Sequence, residues 1–135
     1  MGYRVADISA LEWDERPPKP GEAARLFADL TTQAGLQQSR ARVWRYPPRT
    51  TGRRHRDHEQ EEVFVVVSGT LTMLLGDEGE RVDLAPGSVV VVDPMTPLQM
   101  RNETDEELVC FVYGAPPVQA GADMLDDVEL PPRSS

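Results

Sequence analysis

The residues of this chain that could carry chemistry are concentrated in one short window. His55 and His58, the two histidines of the sequence, are followed by Glu62 at the head of the β-rich run EVFVVVS. Imidazole nitrogens and carboxylate oxygens together suit a first-row divalent ion, and Asp57 would add another oxygen donor. A loop that bulges by one residue would bring His55, His58 and Glu62 together around a metal. The alternative is that both histidines lie at the rim of a solvated loop rich in Arg, Asp and Glu.

The same window also allows a pocket for an anion. The guanidinium fork of Arg56 can hold a carboxylate or a phosphate through two parallel hydrogen bonds. Further arginines nearby would widen the positive zone, namely Arg49, Arg53 and Arg54. Acidic residues follow at once along the chain, so a loop whose charges pair with one another is the competing interpretation.

Alternation along two predicted strands defines the candidate pocket. Successive side chains of a strand point to opposite faces, which puts Glu62 and Phe64 on one face of their run. Leu98, Met100 and Asn102 share a face of the run LQMRN in the same way. This pattern predicts an apolar pocket with one amide. A carboxylate beside Phe64 and Leu98 is costly to bury alone, so we expect a cation next to Glu62.

The elements that carry these residues are predicted to form one β-domain. From residue 39 onward, short β-rich runs alternate with turn residues about every ten positions, which is typical of an antiparallel sandwich or barrel. We divide the chain into an N-terminal arm (1–38), a barrel (39–114) and an acidic C-terminal tail (115–135). Helical spacing of apolar residues from 21 to about 30 predicts a short helix in the arm. The run SVVVV at 88–92 lacks polar alternation, which predicts burial on both faces.

Length and charge limit the function classes. The chain has 135 residues, a length that fits one domain, with 14 Lys and Arg against 23 Asp and Glu. Its net charge of -9 argues against nucleic acid and anionic membranes as partners, although residues 1–56 hold 11 basic and 6 acidic residues. No long apolar run and no signal-peptide pattern is present, so we expect a cytoplasmic protein. Cys110 lies in an apolar run and is predicted to be buried and unreactive.

These motifs resemble those of the cupin superfamily. The first cupin motif places His-x-His three or four residues before a glutamate, which is followed by six residues and a glycine; Glu62 and Gly69 fit this spacing. The second motif is visible in outline from Gly87 to Asn102. The resemblance covers about residues 39–114. It implies an all-β fold, an antiparallel double-sheet β-barrel of the cupin or jelly-roll type, to which we add the short N-terminal helix.

The resemblance also implies a metal site, from which this sequence departs. In cupins three histidines and the glutamate commonly bind a divalent metal. With three residues before Glu62 the histidine pair falls on Arg56 and His58, and with four it falls on His55 and Asp57. Leu98 stands where the third histidine belongs. Each register therefore retains one histidine and Glu62.

Three functional hypotheses are compatible with these residues. The leading one is a small-molecule-binding cupin with a degenerate or absent metal site and no cofactor, which holds an apolar or weakly anionic ligand. Its predicted pocket residues are Arg56, His58, Glu62, Phe64, Leu98, Met100 and Asn102. The alternative is a divalent-metal enzyme, an oxygenase or isomerase, that uses His55, His58 and Glu62 to hold Ni, Zn, Mn or Fe. The third is an interaction module with a vestigial cavity. The resemblance and the many outward valines of the predicted strands also favour a homodimer.

Overall fold

Two antiparallel sheets form the body of the protein. The computed structural model describes residues 2–117 and 121–128. The strands within them are β1 (Asp14–Arg16), β2 (Arg25–Asp29), β3 (Arg40–Tyr46), β4 (Thr50–Thr51), β5 (His55–Asp57), β6 (Glu61–Ser68), β7 (Leu71–Leu75), β8 (Glu80–Leu84), β9 (Val89–Val92), β10 (Leu98–Asn102), β11 (Leu108–Ala115) and β12 (Ala122–Met124). One sheet has the strand order β1-β2-β3-β11-β6-β9 and the other β12-β5-β10-β7-β8, with β4 also paired to β10. The predicted all-β, double-sheet barrel is confirmed.

The core lies between the two sheets, because both contribute their inward-facing side chains to it. From the first sheet come Phe64 and Val66, and from the second come Leu98 and Met100, all at most 5% exposed. Alternation along β6 and β10 therefore works as the sequence predicts. Cys110, which is 0% exposed, belongs to the same core, so the prediction that it is buried is confirmed.

The predicted helix over residues 21 to about 30 is wrong. Arg25–Asp29 is instead strand β2, whose Phe27 pairs with Trp44 of β3. A single helical turn comes next, α1 (Leu30–Gln33), and its N-terminus is capped by the Asp29 carboxylate. A further short turn, of 3-10 type, spans Ile8–Ala10. Backbone pairing with a long neighbouring strand outweighs the local helical spacing of this segment.

The prediction that residues 88–92 are buried on both faces is also wrong for the single chain. Within residues 2–117 and 121–128, strand β9 lies at the edge of the first sheet and pairs only with β6. Val92 faces inward and is 4% exposed, whereas Val89 and Val91 face outward and are 57% and 58% exposed. The run is therefore buried on one face only.

The sheets extend beyond the range 39–114 at both ends. The arm supplies β1 and β2, and the segment after the barrel supplies β12, which pairs with β5 through Asp123 and Arg56. Residues 118–120 and 129–135 of the predicted tail lie outside the described residues. Among the helices of the described chain, none has the length and apolar character needed to span a bilayer.

Candidate active site

A cavity of about 580 Å³ opens between the two sheets. Its apolar wall is formed by side chains from both sheets: Trp44, Tyr46, Phe64, Leu98, Met100 and Val112. Its polar wall combines arginines from the first sheet with an imidazole and two carboxylates. A concave, mostly apolar space with a few converging polar groups is the usual form of a small-molecule site.

The imidazole and the carboxylates form a compact cluster made of His55, Asp57 and Glu62. Residues 55 and 57 share a face of β5, and the short connection to β6, a strand of the other sheet, brings Glu62 opposite them. His55 Nε2 lies 3.7 Å from Asp57 Oδ2 and 3.8 Å from Glu62 Oε1. The potential ligand atoms of all three residues lie within 4.8 Å of one another. The cluster thus joins the two sheets at the cavity.

The orientation of the His55 ring is fixed by the backbone. Its Nδ1 lies 3.2 Å from the carbonyl oxygen of Arg53, which can only accept a hydrogen bond, so Nδ1 carries a proton and donates it. Nε2 is therefore the nitrogen that faces the two carboxylates. Metal-binding histidines are oriented in the same way, with the ring nitrogen that does not bind the metal donating to a carbonyl or carboxylate.

The electrostatics of the cluster are set by its burial and by its two like charges. Burial alone lowers the pKa of His55, but the carboxylates of Asp57 and Glu62 stabilise the protonated ring and raise its pKa to about 10. Burial and the neighbouring Asp57 raise the pKa of Glu62, although His55 opposes the shift. Burial also disfavours the charged form of Asp57, but hydrogen bonds to His55 and Glu62 outweigh it, so the pKa of Asp57 moves down. Without a metal, the imidazolium is thus the cation beside the two acids.

His58 and Arg56, two of the predicted pocket residues, do not line the cavity. His58 Nε2 lies 2.9 Å from Asp123 Oδ1, and Arg56 Nε lies 2.7 Å from the other oxygen of that carboxylate. Asp123 belongs to β12, a strand whose pairing with β5 could not be foreseen from local pattern. Of the two registers left open by the sequence, the structure adopts the one that turns His55 and Asp57 toward Glu62.

Of the remaining predicted pocket residues, three line the cavity and one has a structural role. Phe64, Leu98 and Met100 line the cavity, and Leu98 pairs directly with His55 across β10 and β5. Asn102 does not line it: the amide is 1% exposed and donates to the carbonyl oxygens of Tyr46, Pro47 and Glu106. The hydrogen bonds of Asn102 therefore hold the loops at the end of β10 in place.

Sequence reasoning missed the arginines of the polar wall. Strands β1, β2 and β3 bring four of them to the cavity, and a fifth stands at the rim; they are Arg16, Arg25, Arg40, Arg42 and Arg53. Of the arginines considered for an anion pocket, only Arg53 is among them. Arg49 pairs with Asp105, and Arg54 donates to backbone carbonyls. The sequence feature that indicates these arginines is the excess of basic residues in the first 56 positions.

The fold and the cluster define a class: a double-sheet β-barrel with an internal cavity that carries imidazole and carboxylate groups. A family model described as cupin domain matches residues 42–114, more than half of the chain. The chain therefore belongs to the cupin family.

The chain is also similar to individual known proteins. It is 36% identical over 65 residues to the H2HPP isomerase of Bacillus subtilis, and this match covers 48% of the chain but 27% of that relative's length. It resembles the structure of a putative sugar phosphate isomerase from Acidithiobacillus ferrooxidans, with 27% identity, a TM-score of 0.68 and coverage of 79% of this chain and 69% of the other. A sugar phosphate isomerase of the cupin superfamily from Silicibacter pomeroyi has the same fold, with 23% identity, a TM-score of 0.71 and coverage of 92% and 83%.

Proposed function

We propose that this cupin is a small-molecule enzyme of the isomerase type, with a first-row divalent ion held by His55, Asp57 and Glu62. The observation that carries the proposal is the convergence of one imidazole nitrogen and two carboxylate oxygens at the cavity wall. The similarity to the H2HPP isomerase and to the putative sugar phosphate isomerase, each above 25% identity, supports the reaction class.

The donor set fits such an ion. Donor atoms lie about 2.0–2.2 Å from a first-row metal, so two donors of one ion lie at most about 4.4 Å apart. The separations of His55 Nε2 from the two carboxylates, 3.7 and 3.8 Å, are within that limit. One nitrogen and two oxygens suit Zn, Ni, Mn or Fe(II), and three protein ligands leave positions open for a substrate.

The surroundings of the cluster suit a reaction on a bound small molecule. A divalent ion at this place would act as a Lewis acid that polarises a carbonyl or hydroxyl oxygen of the substrate. Phe64, Leu98 and Met100 bring apolar surface to the same cavity and keep water from part of it. Charges interact more strongly where water is excluded, so a substrate oxygen beside such an ion would be polarised with less screening.

A second candidate is a metal-free binding protein, the leading hypothesis from the sequence. It is favoured by Leu98, which offers no ligand atom at the position facing His55, and by the protonated His55 ring, which already balances the acids. The two candidates differ in what the cluster binds: a metal ion in the first, a proton in the second.

Metal titration separates them. Chelator-treated protein is titrated with Zn, Ni and Mn by calorimetry, alongside the variants His55→Ala and His58→Ala. If the enzyme proposal is right, the protein binds one equivalent, His55→Ala loses at least about tenfold in affinity, and His58→Ala serves as the matched control and binds like the parent. No binding by the parent, or equal losses in both variants, would reject the site.

The reaction class needs its own readout. Metal-loaded protein is incubated in D2O with a panel of hydroxy ketones, hydroxy aldehydes and 2-oxo acids, and proton NMR follows deuterium uptake at the carbon next to the carbonyl. We expect uptake that depends on the added metal and is lost in Glu62→Gln. Compounds that bind to the cavity without any exchange would favour the metal-free binding protein.

A further inference from the structure

Four arginines of the cavity lack the carboxylate partner that most other arginines of the described chain have. Of the exceptions, Arg4 and Arg54 donate to backbone carbonyls, and Arg53 also lines the cavity. Arg45, Arg49, Arg56, Arg81 and Arg101 each have a carboxylate oxygen within 4.0 Å. Over residues 2–117 and 121–128, no carboxylate stands that close to the four arginines of β1, β2 and β3 that line the cavity. In a chain with a net charge of -9, acidic partners are plentiful, so this concentration of unpaired cations in the cavity calls for a ligand.

Aromatic rings hold three of these four guanidinium groups in place. Arg16 and Arg42 lie 4.8 and 4.9 Å from the centre of the Phe27 ring, and Arg25 lies 5.4 and 5.3 Å from the centres of the Trp44 and Tyr46 rings. Arg25 also donates to the buried hydroxyl of Tyr46 at 3.1 Å. Contacts with a ring face orient a guanidinium but leave most of its N–H donors available.

The strand register sets like charges against one another. Arg16 and Arg25 are direct cross-strand partners of β1 and β2. Arg40 and Arg42 share a face of β3, and burial together with repulsion from Arg16 and Arg40 lowers the pKa of Arg42, although its cross-strand partner Asp29 and the carboxylate of Glu62 oppose the shift. Like charges placed opposite each other destabilise a sheet, so a bound anion would relieve this arrangement.

We propose that Arg16, Arg25, Arg40 and Arg42 form an oxyanion subsite that receives the carboxylate or phosphate group of the substrate. The inference rests on the proposed function, because the proposed function places the reacting end of the substrate at the His55 cluster. Guanidinium groups are the preferred protein partners of both oxyanions, since each group can donate two parallel hydrogen bonds.

The sheet places this subsite beside the His55 cluster. Arg40 and Glu62 both pair with Gly114 of the intervening strand β11, so they lie in one row of the sheet. Strands are spaced about 4.8 Å apart, which puts the two backbones roughly 10 Å from each other. The substrate class is therefore a short organic acid or phosphate ester whose anionic group is a few bonds away from the carbon that reacts.

Oxyanion binding by metal-free protein tests the subsite. Inorganic phosphate and succinate are titrated separately at constant ionic strength, with potassium chloride as the control for general salt effects. Arg40→Gln is the test variant, because its side chain has no ring contact in the described structure and lies on the same face of β3 as Arg42. Arg45→Gln is the matched control on the same strand, since Arg45 pairs with Glu107 outside the cavity.

We expect binding that Arg40→Gln weakens roughly ten- to hundredfold, the effect of one lost charge-assisted contact. Arg45→Gln should bind like the parent. Without an oxyanion, the Arg40→Gln variant should melt at the same temperature as the parent or higher, because the substitution removes the repulsion between Arg40 and Arg42. Binding of phosphate alone would assign a phosphate ester, and binding of succinate alone a carboxylic acid.

Failure of this inference can be told from failure of the proposed metal site. His55→Ala should lose metal binding while phosphate or succinate still binds to the metal-free protein. No binding of either oxyanion, or an equal loss in Arg40→Gln and Arg45→Gln, would overturn the oxyanion subsite whatever the result of the metal titration.

Discussion

Leu98 is the residue that most limits metal binding in the cluster. It is 1% exposed, lines the cavity and pairs directly with His55. A histidine at this position would add a fourth ligand, a nitrogen donor, to the three ligands of the cluster. A fourth protein ligand raises the affinity of the site for a metal ion. We expect Leu98→His to raise the affinity for Zn or Ni at least about tenfold, as measured by calorimetry.

The control for this variant is Met100→His, which lies two residues further along β10 and also lines the cavity. Because the pairing of Leu98 with His55 is not shared by Met100, this second histidine should give a smaller gain. The gain from Leu98→His should disappear when Glu62→Gln is added. Equal gains from both histidines would contradict the geometry of the cluster.

Cys110 offers a residue-level test that is independent of any ligand. Burial raises the pKa of its thiol to about 12, and its side chain is 0% exposed. The reactive thiolate is therefore almost absent from the folded protein at about pH 8, where an ordinary cysteine is partly ionised. We expect no reaction with a thiol-specific reagent at that pH until urea unfolds the chain, after which one thiol reacts. Rapid stoichiometric labelling of the folded protein would contradict this burial.

At the scale of elements, Gly69 fixes the turn between β6 and β7. Its φ of +78° is costly for other residues, and an added Cβ would overlap the carbonyl oxygen of Glu107. We expect Gly69→Ala to lower the free energy of unfolding by about 3 kcal/mol in urea titrations. Gly76→Ala is the matched control, since its φ is +80° but nothing lies near its added Cβ; about 1 kcal/mol is expected there. Equal losses would mean that the close approach to Glu107 is unimportant.

The elements also show why the sequence predicts part of the fold and misses the rest. Phe64 of β6 and Leu98 and Met100 of β10 point into the core, so their side-chain directions follow from a period of two. Segment 21–30 carries apolar residues at spacings that suit a helix as well, and its pairing with β3 is a contact between distant parts of the chain. Local pattern cannot decide between the two structures, because distant contacts are not encoded in it.

The sequence likewise predicts part of the candidate site and misses the rest. Glu62, Phe64, Leu98 and Met100 follow from alternation, and the structure places all four at the cavity. The choice between the two histidine registers depends on the pairing of β5 with β12, which brings Asp123 to His58. The arginine wall was missed for a related reason: two of its members lie in a segment predicted to be an arm and a helix.

The whole molecule has an apolar outer surface that a single chain leaves open. On the outer face of the first sheet, Val89 and Val91 pair in register with Val65 and Val63, which in turn pair with Phe111 and Tyr113. Val89, Val91, Val67 and Tyr113 are between 37% and 58% exposed. A continuous apolar face of this kind is typical of an interface between subunits. We therefore expect a homodimer in which two copies of this face meet, as in isologous dimers generally.

Charges placed on this face should separate the subunits. The double variant Val89→Asp and Val91→Asp would bury four carboxylates in a two-fold interface, which costs more than the interface gains. We expect the parent to sediment as a dimer at roughly 50 µM and the double variant as a folded monomer, a range in which standard interfaces remain associated. Val5→Asp is the control, because Val5 is 88% exposed and lies outside the sheets, so this variant should remain dimeric. A parent protein that sediments only as a monomer would show that the valine face is not an interface between copies of this chain.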